Sequence, residues 1–174
     1  MNDLKDYDEA VILFRKSLKF TTLPVLSWDF YGQVLDNMKM VAEDLKSLSQ
    51  LANSNSWNFD TEVFDKRLKK QNNVVVVTDA NLNIVFATKN IWEMNQYRPE
   101  EIIGKKPKMF QGTKTSESSL KVIRDAIKEN KPFETKVLNY KKDGSTYNCW
   151  IQGHPVFDNQ GKVVNFIAFE KEVA

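Results

Sequence analysis

Apolar residues in the first part of the chain recur at intervals of three and four positions. One such series occupies residues 4–18 and a second occupies residues 31–52, with the breaker Leu23-Pro24 between them. That spacing places each series along one face of an amphipathic helix. Further apolar residues make the second stripe wider than a two-stranded coiled-coil seam, which favours packing into a bundle or onto a sheet. The pattern predicts a helical hairpin followed by a short third helix at residues 61–70.

From residue 73 onward the apolar pattern changes to the alternation that is typical of strands. Five strands are predicted, at residues 74–79, 83–88, 133–140, 146–156 and 163–173. Three helical segments are predicted between the second and third strands, at residues 91–95, 99–103 and 116–130. This order predicts an α+β fold in which a five-stranded antiparallel sheet carries helices on one face. The chain is therefore divided into an N-terminal helical region, residues 1–72, and a sheet domain, residues 73–174.

Composition and charge exclude several classes of function. The 174 residues include 25 basic and 23 acidic side chains, so the net charge of +2 provides no footprint for nucleic acid. Cys149 and His154 are the only residues of their types, which leaves too few ligands for a zinc-type site. No apolar run reaches the length of a membrane span, and no spacing suggests a nucleophile with its base. We therefore expect a cytoplasmic, non-enzymatic protein without metal, membrane or nucleic-acid binding.

Six short sequence motifs in the second half of the chain resemble those of a known fold. They are MNQYRPEEIIGK (94–105), FQG (110–112), VIRDAI (122–127), LNYKKDG (138–144), HPVFD (154–158) and FIAFEKEV (166–173). Together with the order of the elements, they resemble the PAS sensor fold over about residues 73–174. Within that fold they look most like the flavin-binding light-oxygen-voltage (LOV) domains.

The segment GKKPKMFQG (104–112) departs from the LOV pattern at one residue. LOV domains have an Asn-Cys-Arg motif at this place, and the cysteine of that motif attacks the excited flavin. This chain has Lys106-Pro107-Lys108 instead. Proline has no thiol, so the comparison implies that no cysteinyl adduct forms. We interpret Pro107 as a helix-entry residue, since its fixed φ suits the first turn. Cys149 lies on a predicted strand of the opposite wall and is no obvious substitute.

The resemblance also assigns candidate ligand-binding residues. The set is Lys108, Gln111, Arg124, Asn139, Cys149 and Glu170. The first four match the family's basic and polar flavin contacts, whereas Cys149 and Glu170 replace an asparagine and a glutamine. A carboxylate at position 170 would oppose a flavin carbonyl unless it were protonated or paired, for example with Lys106. We therefore expect a cavity that works without a resident cofactor, with flavin (FMN or FAD) as the alternative.

Alternation along the last three strands predicts a second apolar surface, on the face away from the cavity. Its members are Leu138, Tyr140, Trp150, Ile167 and Phe169. The apolar stripe of the second helix, which includes Leu45 and Leu48, is complementary to it. We expect the helices to cover this platform, within one chain or across a homodimer.

Three functions remain open at this stage. The first is a non-catalytic PAS-type sensory or regulatory module that acts through contacts with an unknown signalling partner. The second is a flavin-binding redox or blue-light sensor without adduct chemistry. The third is a structural dimerisation module whose pocket is filled by side chains.

Overall fold

The computed structural model describes residues 27–58 and 73–174. The chain forms two compact units, Met1–Met38 and Lys39–Ala174, and the contacts reported below lie within the second. The first predicted helix and the helix predicted at residues 61–70 fall outside the described residues.

A single long helix, α1 (Ser27–Ser54), contains the second predicted apolar stripe. Leu48 and Ala52 are buried. Val41, Leu45 and Leu51 are partly buried and pack against the apolar cluster that Leu48 forms with the sheet. Nearer the start of the helix, Val34, Leu35 and Met38 are exposed. One stripe therefore has a covered part and an uncovered part.

The predicted antiparallel sheet is confirmed, with strand order β2-β1-β5-β4-β3. The strands are β1 (Val74–Asp79), β2 (Ile84–Ala87), β3 (Phe133–Tyr140), β4 (Thr146–Phe157) and β5 (Val163–Val173). The central strand β5 pairs with β1 and β4, so that Glu170 lies opposite both Val74 and Ile151. Gly144 and Gly161 have φ of 86° and 80° in the two turns that join the last three strands. Glycine tolerates that left-handed conformation because it lacks a Cβ atom.

Short helices and one longer helix connect β2 to β3. They are α2 (Ile91–Asn95), α3 (Pro99–Ile102), a 3₁₀ turn (Pro107–Phe110) and α4 (Glu117–Lys128). At the start of α3 the Glu101 carboxylate accepts a hydrogen bond of 2.9 Å from the Arg98 backbone N–H, in a capping box, and Pro99 occupies the first turn. These caps explain why so short a helix forms at the predicted place.

The two faces of the sheet carry separate apolar clusters. The inner cluster joins β1, β3 and β4 to α2, α3 and the 3₁₀ turn, and includes Val76, Ile91, Ile102, Phe110 and Val137. The outer cluster joins Leu48 of α1 to the sheet, and includes Val75, Val77, Val156, Ile167 and Phe169. Helix α1 therefore covers the outer face within a single chain.

The predicted outer platform needs a correction at β3. Ile167, Phe169 and Trp150 take part in the α1 cluster, but Leu138 and Tyr140 do not. The Tyr140 ring lies against Gly112, where an added Cβ atom would come within 2.5 Å of it, and its hydroxyl accepts a 3.0 Å hydrogen bond from the Lys114 backbone N–H. The reason is topological, since β3 is the edge strand farthest from β1. Tyr140 is therefore free to turn round the edge of the sheet.

Polar contacts also join the α1 region to the sheet. The buried Asn165 side chain of β5 accepts hydrogen bonds from Trp57 Nε1 (2.8 Å) and Asn55 Nδ2 (3.0 Å) and donates to the Thr78 carbonyl (2.9 Å). Farther along α1, the buried Asp44 carboxylate accepts a 2.9 Å hydrogen bond from the Lys89 backbone N–H. Burial raises the pKa of Asp44, and the hydrogen bond from Lys89 partly opposes that rise.

Candidate functional site

A cavity of about 450 Å³ lies between the inner face of the sheet and the wall that is formed by the 3₁₀ turn and α4. Its apolar lining includes Val76, Leu82, Phe110, Leu120, Ile123 and Phe166. This volume is within the range of small-molecule sites, about 300–1,000 Å³. A cavity of this size does not favour the alternative of a structural module whose pocket is filled by side chains. The bulky side chains of Met94 and Tyr147 belong to the inner core cluster and do not line the cavity.

Pro107 is the first residue of the 3₁₀ turn and lines the cavity. Lys106 before it has extended backbone angles, φ −92° and ψ 146°, as expected for a residue that precedes proline. The missing N–H of proline costs little at the start of a turn, because that group has no partner within the turn. Local backbone chemistry alone thus explains a proline at this position.

Polar groups occupy both the wall and the floor of the cavity. Lys108 and Gln111 contribute from the 3₁₀ turn and its end, Arg124 from α4, Asn139 from β3 and Glu170 from β5. The five residues were named from sequence, and the structure brings them round one space. Arg124 forms an exposed ion pair with Glu117, which also lines the cavity.

Cys149 is the one member of the predicted set that does not line the cavity. It is fully buried in the core behind Glu170, and its Sγ atom lies 3.7 Å from Glu170 Oε2. Burial raises the pKa of the Cys149 thiol far above its ordinary value, and the neighbouring Glu170 adds to the rise. A thiol of this kind is a poor nucleophile.

Glu170 is buried in the centre of the sheet, with 7% of its surface exposed. Burial raises its pKa from the ordinary 4.5 to about 7, and the hydrogen bond with Cys149 partly opposes the rise. Lys106, which the sequence suggested as a counter-ion, does not act on the pKa of Glu170, and Arg124 is paired with Glu117. The carboxyl group is therefore largely neutral in mildly acidic solution.

Sequence reasoning missed two features of the cavity. Thr78 lines it with a hydroxyl that has no hydrogen-bond partner in the described part of the chain, although alternation along β1 could have pointed to this residue. Phe133 lies over Gly153, where a Cβ atom would come within 2.3 Å of the ring. The second feature carries no sequence signal, because it depends on the absence of a side chain on the neighbouring strand.

Other kinds of site receive no support. Within residues 27–58 and 73–174 no three His, Cys, Asp or Glu residues are grouped so that they could hold a metal ion. No helix in these same ranges is long and apolar enough to cross a membrane. The ring of His154 lies edge-on to Phe169, 6.2 Å between centroids, on the outer side of the sheet.

Comparison with known proteins places this geometry in a family. The PAS domain family profile matches residues 72–173, more than half of the chain. The chain belongs to the PAS domain family. Its curated relatives include Protein TWIN LOV 1 of Arabidopsis thaliana, 42% identical over 94 residues (52% of this chain and 23% of that protein). A blue-light-activated histidine kinase of Rhizobium johnstonii is 35% identical over 95 residues, which cover 53% of this chain and 28% of the kinase.

Solved structures agree with the LOV-like branch of the PAS family. The light-state structure of the Aureochrome1 LOV domain has a TM-score of 0.57 and 28% identity, and the match covers 63% of this chain and 88% of that one. A LOV domain studied with a flavin analogue has a TM-score of 0.60 at 24% identity, covering 64% and 85%, and supports the fold alone. This PAS domain is thus a LOV-like sensory domain of signal transduction. It corresponds to about a quarter of the length of the two curated relatives just described.

Proposed function

We propose that this PAS domain senses a small ligand and signals through protein contacts in the cytoplasm, without catalysis of its own. The observation that carries the proposal is the double use of strand β5. Phe166, Ala168 and Glu170 line the cavity, Phe169 packs in the α1 cluster on the other face, and Ile167 belongs to both the cavity lining and that cluster. A change in the cavity that shifts β5 would therefore also alter the packing of α1 on the sheet.

Two polar contacts strengthen this coupling. Asn165 is one residue from Phe166 on β5 and ties the strand to Asn55 and Trp57, just after α1. On the other side, Asp44 of α1 holds the backbone of Lys89, between β2 and α2. Packed and hydrogen-bonded elements of this kind can pass a small displacement from one site to another.

The partner that best suits the uncovered part of α1 is a second copy of this chain. Val34, Leu35 and Met38 lie within about one turn of the helix and are exposed, and adjacent exposed apolar groups mark interaction surfaces. Pairing of two such helices would bury both stripes. The signalling partner downstream is a separate protein or domain.

Filling the cavity with a side chain tests the coupling without knowledge of the ligand. We expect Ala168→Phe to change amide hydrogen exchange in residues 39–54 by more than about threefold, because the added ring occupies the cavity and changes the packing of β5, which also contacts α1. The control is Val122→Phe, which adds the same ring at an exposed position of α4. If both variants leave exchange in α1 unchanged while the protein stays folded, the cavity and the helix are uncoupled and the proposed function fails.

The second candidate function is a flavin sensor without adduct chemistry. It is supported by the blue-light relatives and by Lys106, Lys108 and Arg124, which provide positive charge on the cavity wall where a phosphate could bind. Gln111, Asn139 and neutral Glu170 would hold the polar edge of the ring. The residues present thus fit a flavin as long as Glu170 keeps its proton, and a bound flavin would supply light absorption and redox chemistry.

Illumination provides the test of this second function. If FMN is added to the purified chain, we expect blue light to cause no reversible loss of the flavin absorption band, because Pro107 has no thiol and Cys149 is buried outside the cavity. Pro107→Ala should behave in the same way and serves as the control for backbone changes. Reversible bleaching with a new near-ultraviolet band would contradict the assignment.

A further inference from the structure

Glu170 is an unusual residue for the floor of a ligand cavity. It lies on the central strand between Val74 and Ile151, and its side chain lines the cavity. Among residues 27–58 and 73–174, the hydrogen-bond partner of its carboxyl group is the Cys149 thiol, at 3.7 Å. A thiol is a weak donor, so much of the hydrogen-bonding capacity of the carboxyl group is unused.

The charges round Glu170 leave its carboxylate form uncompensated. On its own side of the cavity the titratable neighbours are Cys149 and Tyr147, and burial raises the pKa of both above their ordinary values. The charged residues on the opposite wall of the cavity are Lys106, Lys108, Arg124 and Glu117, and Glu117 forms an ion pair with Arg124. In the part of the chain that the structure describes, no lysine or arginine acts to lower the pKa of Glu170, and a buried charge without a partner is costly.

A neutral carboxyl group offers a donor that an ionised one lacks. A ligand atom that only accepts hydrogen bonds, such as a carbonyl oxygen or an unprotonated ring nitrogen, would meet this donor. The ionised form of Glu170 would repel the same atom. The lysine and arginine side chains of the wall would at the same time favour a negative group elsewhere on the ligand.

We propose that the cavity binds an apolar-bodied anion with a hydrogen-bond acceptor at one end, and that neutral Glu170 donates to this acceptor, so that binding weakens when Glu170 ionises. This inference rests on the proposed ligand-sensing function and adds a chemical class and a dependence on pH to it. A raised pKa near 7 would set the change within the physiological range. An amine ligand, which would pair with ionised Glu170, has the opposite dependence on pH and is disfavoured by the basic wall.

The probe is FMN, which has ring acceptors and a phosphate, bound to the full chain and followed by flavin fluorescence. We expect the dissociation constant of the wild-type chain to rise by about tenfold per pH unit once Glu170 ionises, that is, from about pH 7 upward. Glu170→Gln keeps a donor at every pH and should bind FMN equally well at about pH 7.5 and about pH 8.5, where the phosphate stays doubly charged. Glu170→Ala, which has no donor, should bind weakly at both. Identical, flat profiles for the wild type and Glu170→Gln would overturn the proposal, and so would tighter wild-type binding at the higher pH.

Riboflavin and infrared spectroscopy supply independent readouts. Riboflavin lacks the phosphate, so it should bind more weakly than FMN; equal affinity would overturn the anionic part of the proposal. Without any ligand, the wild-type chain in mildly acidic buffer should show the carbonyl band of a protonated carboxylic acid that is missing from Glu170→Gln. Absence of that band, or absence of FMN binding by every folded variant, overturns this inference. The proposed function is judged separately, by hydrogen exchange in Ala168→Phe.

Discussion

Leu48→Asp should unfold this domain or bring it close to unfolding. Leu48 is 2% exposed and is the residue of α1 that enters the outer cluster with Ile167 and Phe169. An uncompensated buried charge costs about 3–5 kcal/mol, and the loss of a buried leucine adds about 2 kcal/mol. Since domains are stable by only about 5–15 kcal/mol, this one substitution removes much of the total. Urea unfolding followed by circular dichroism measures the loss directly.

Leu35→Asp is the matched control on the same helix. Leu35 is 63% exposed, so the new carboxylate stays in water and the free energy of unfolding should change by about 0.5 kcal/mol or less. If the exposed stripe forms the dimer contact, light scattering should instead show a weaker dimer for this variant. Equal loss of stability in Leu35→Asp and Leu48→Asp would show that the packing of α1 on the sheet is not what stabilises the domain.

The strands were the part of the fold that sequence predicted best. Their period of two is a local signal, and turn residues such as Gly144 and Gly161 mark where each strand ends. The bounds of β1, β3 and β5 agree with the prediction to the residue. Burial of Glu170 could also be predicted, because it alternates with Phe169 on a strand that is covered on both faces.

Contacts between distant elements were less accessible to sequence. Tyr140 has the right parity for the outer platform, yet its ring turns to Gly112, since an edge strand leaves room for that movement. Asp44 reads as an ordinary polar position of an amphipathic helix, and only the path of the chain brings the Lys89 backbone to it. The candidate site shows the same limit. Alternation along β4 places Cys149 on the cavity face of the sheet, but the residue lies in the core behind Glu170.

Glu170→Gln should make the domain more stable than the wild type in neutral and basic solution. Folding raises the pKa of Glu170 from 4.5 to about 7, so between these values the folded chain holds a proton that the unfolded chain has lost. Stability of the wild type therefore falls as pH rises through this window, and the contribution is constant below and above it. Across this window the free energy of unfolding of the wild type falls by about 3 kcal/mol because of Glu170. Relative to the wild type, the glutamine variant should gain roughly that amount between about pH 4.5 and about pH 8.

The difference between two unfolding curves isolates this residue, because the other titrating groups are shared by the wild type and the variant. Glu101→Gln serves as a control of opposite sign. Hydrogen bonds from Lys142 and the Arg98 backbone lower the pKa of Glu101, so its contribution is present above the unfolded pKa and is lost as pH falls. Glu101→Gln should therefore become less stable relative to the wild type as pH rises. The difference should be small, because the ion pair between Glu101 and Lys142 is exposed. If Glu170→Gln followed the same direction as Glu101→Gln, the Glu170 carboxyl group would have to be ionised and stabilised in the folded chain, and both its neutral form and the ligand chemistry inferred from it would be wrong.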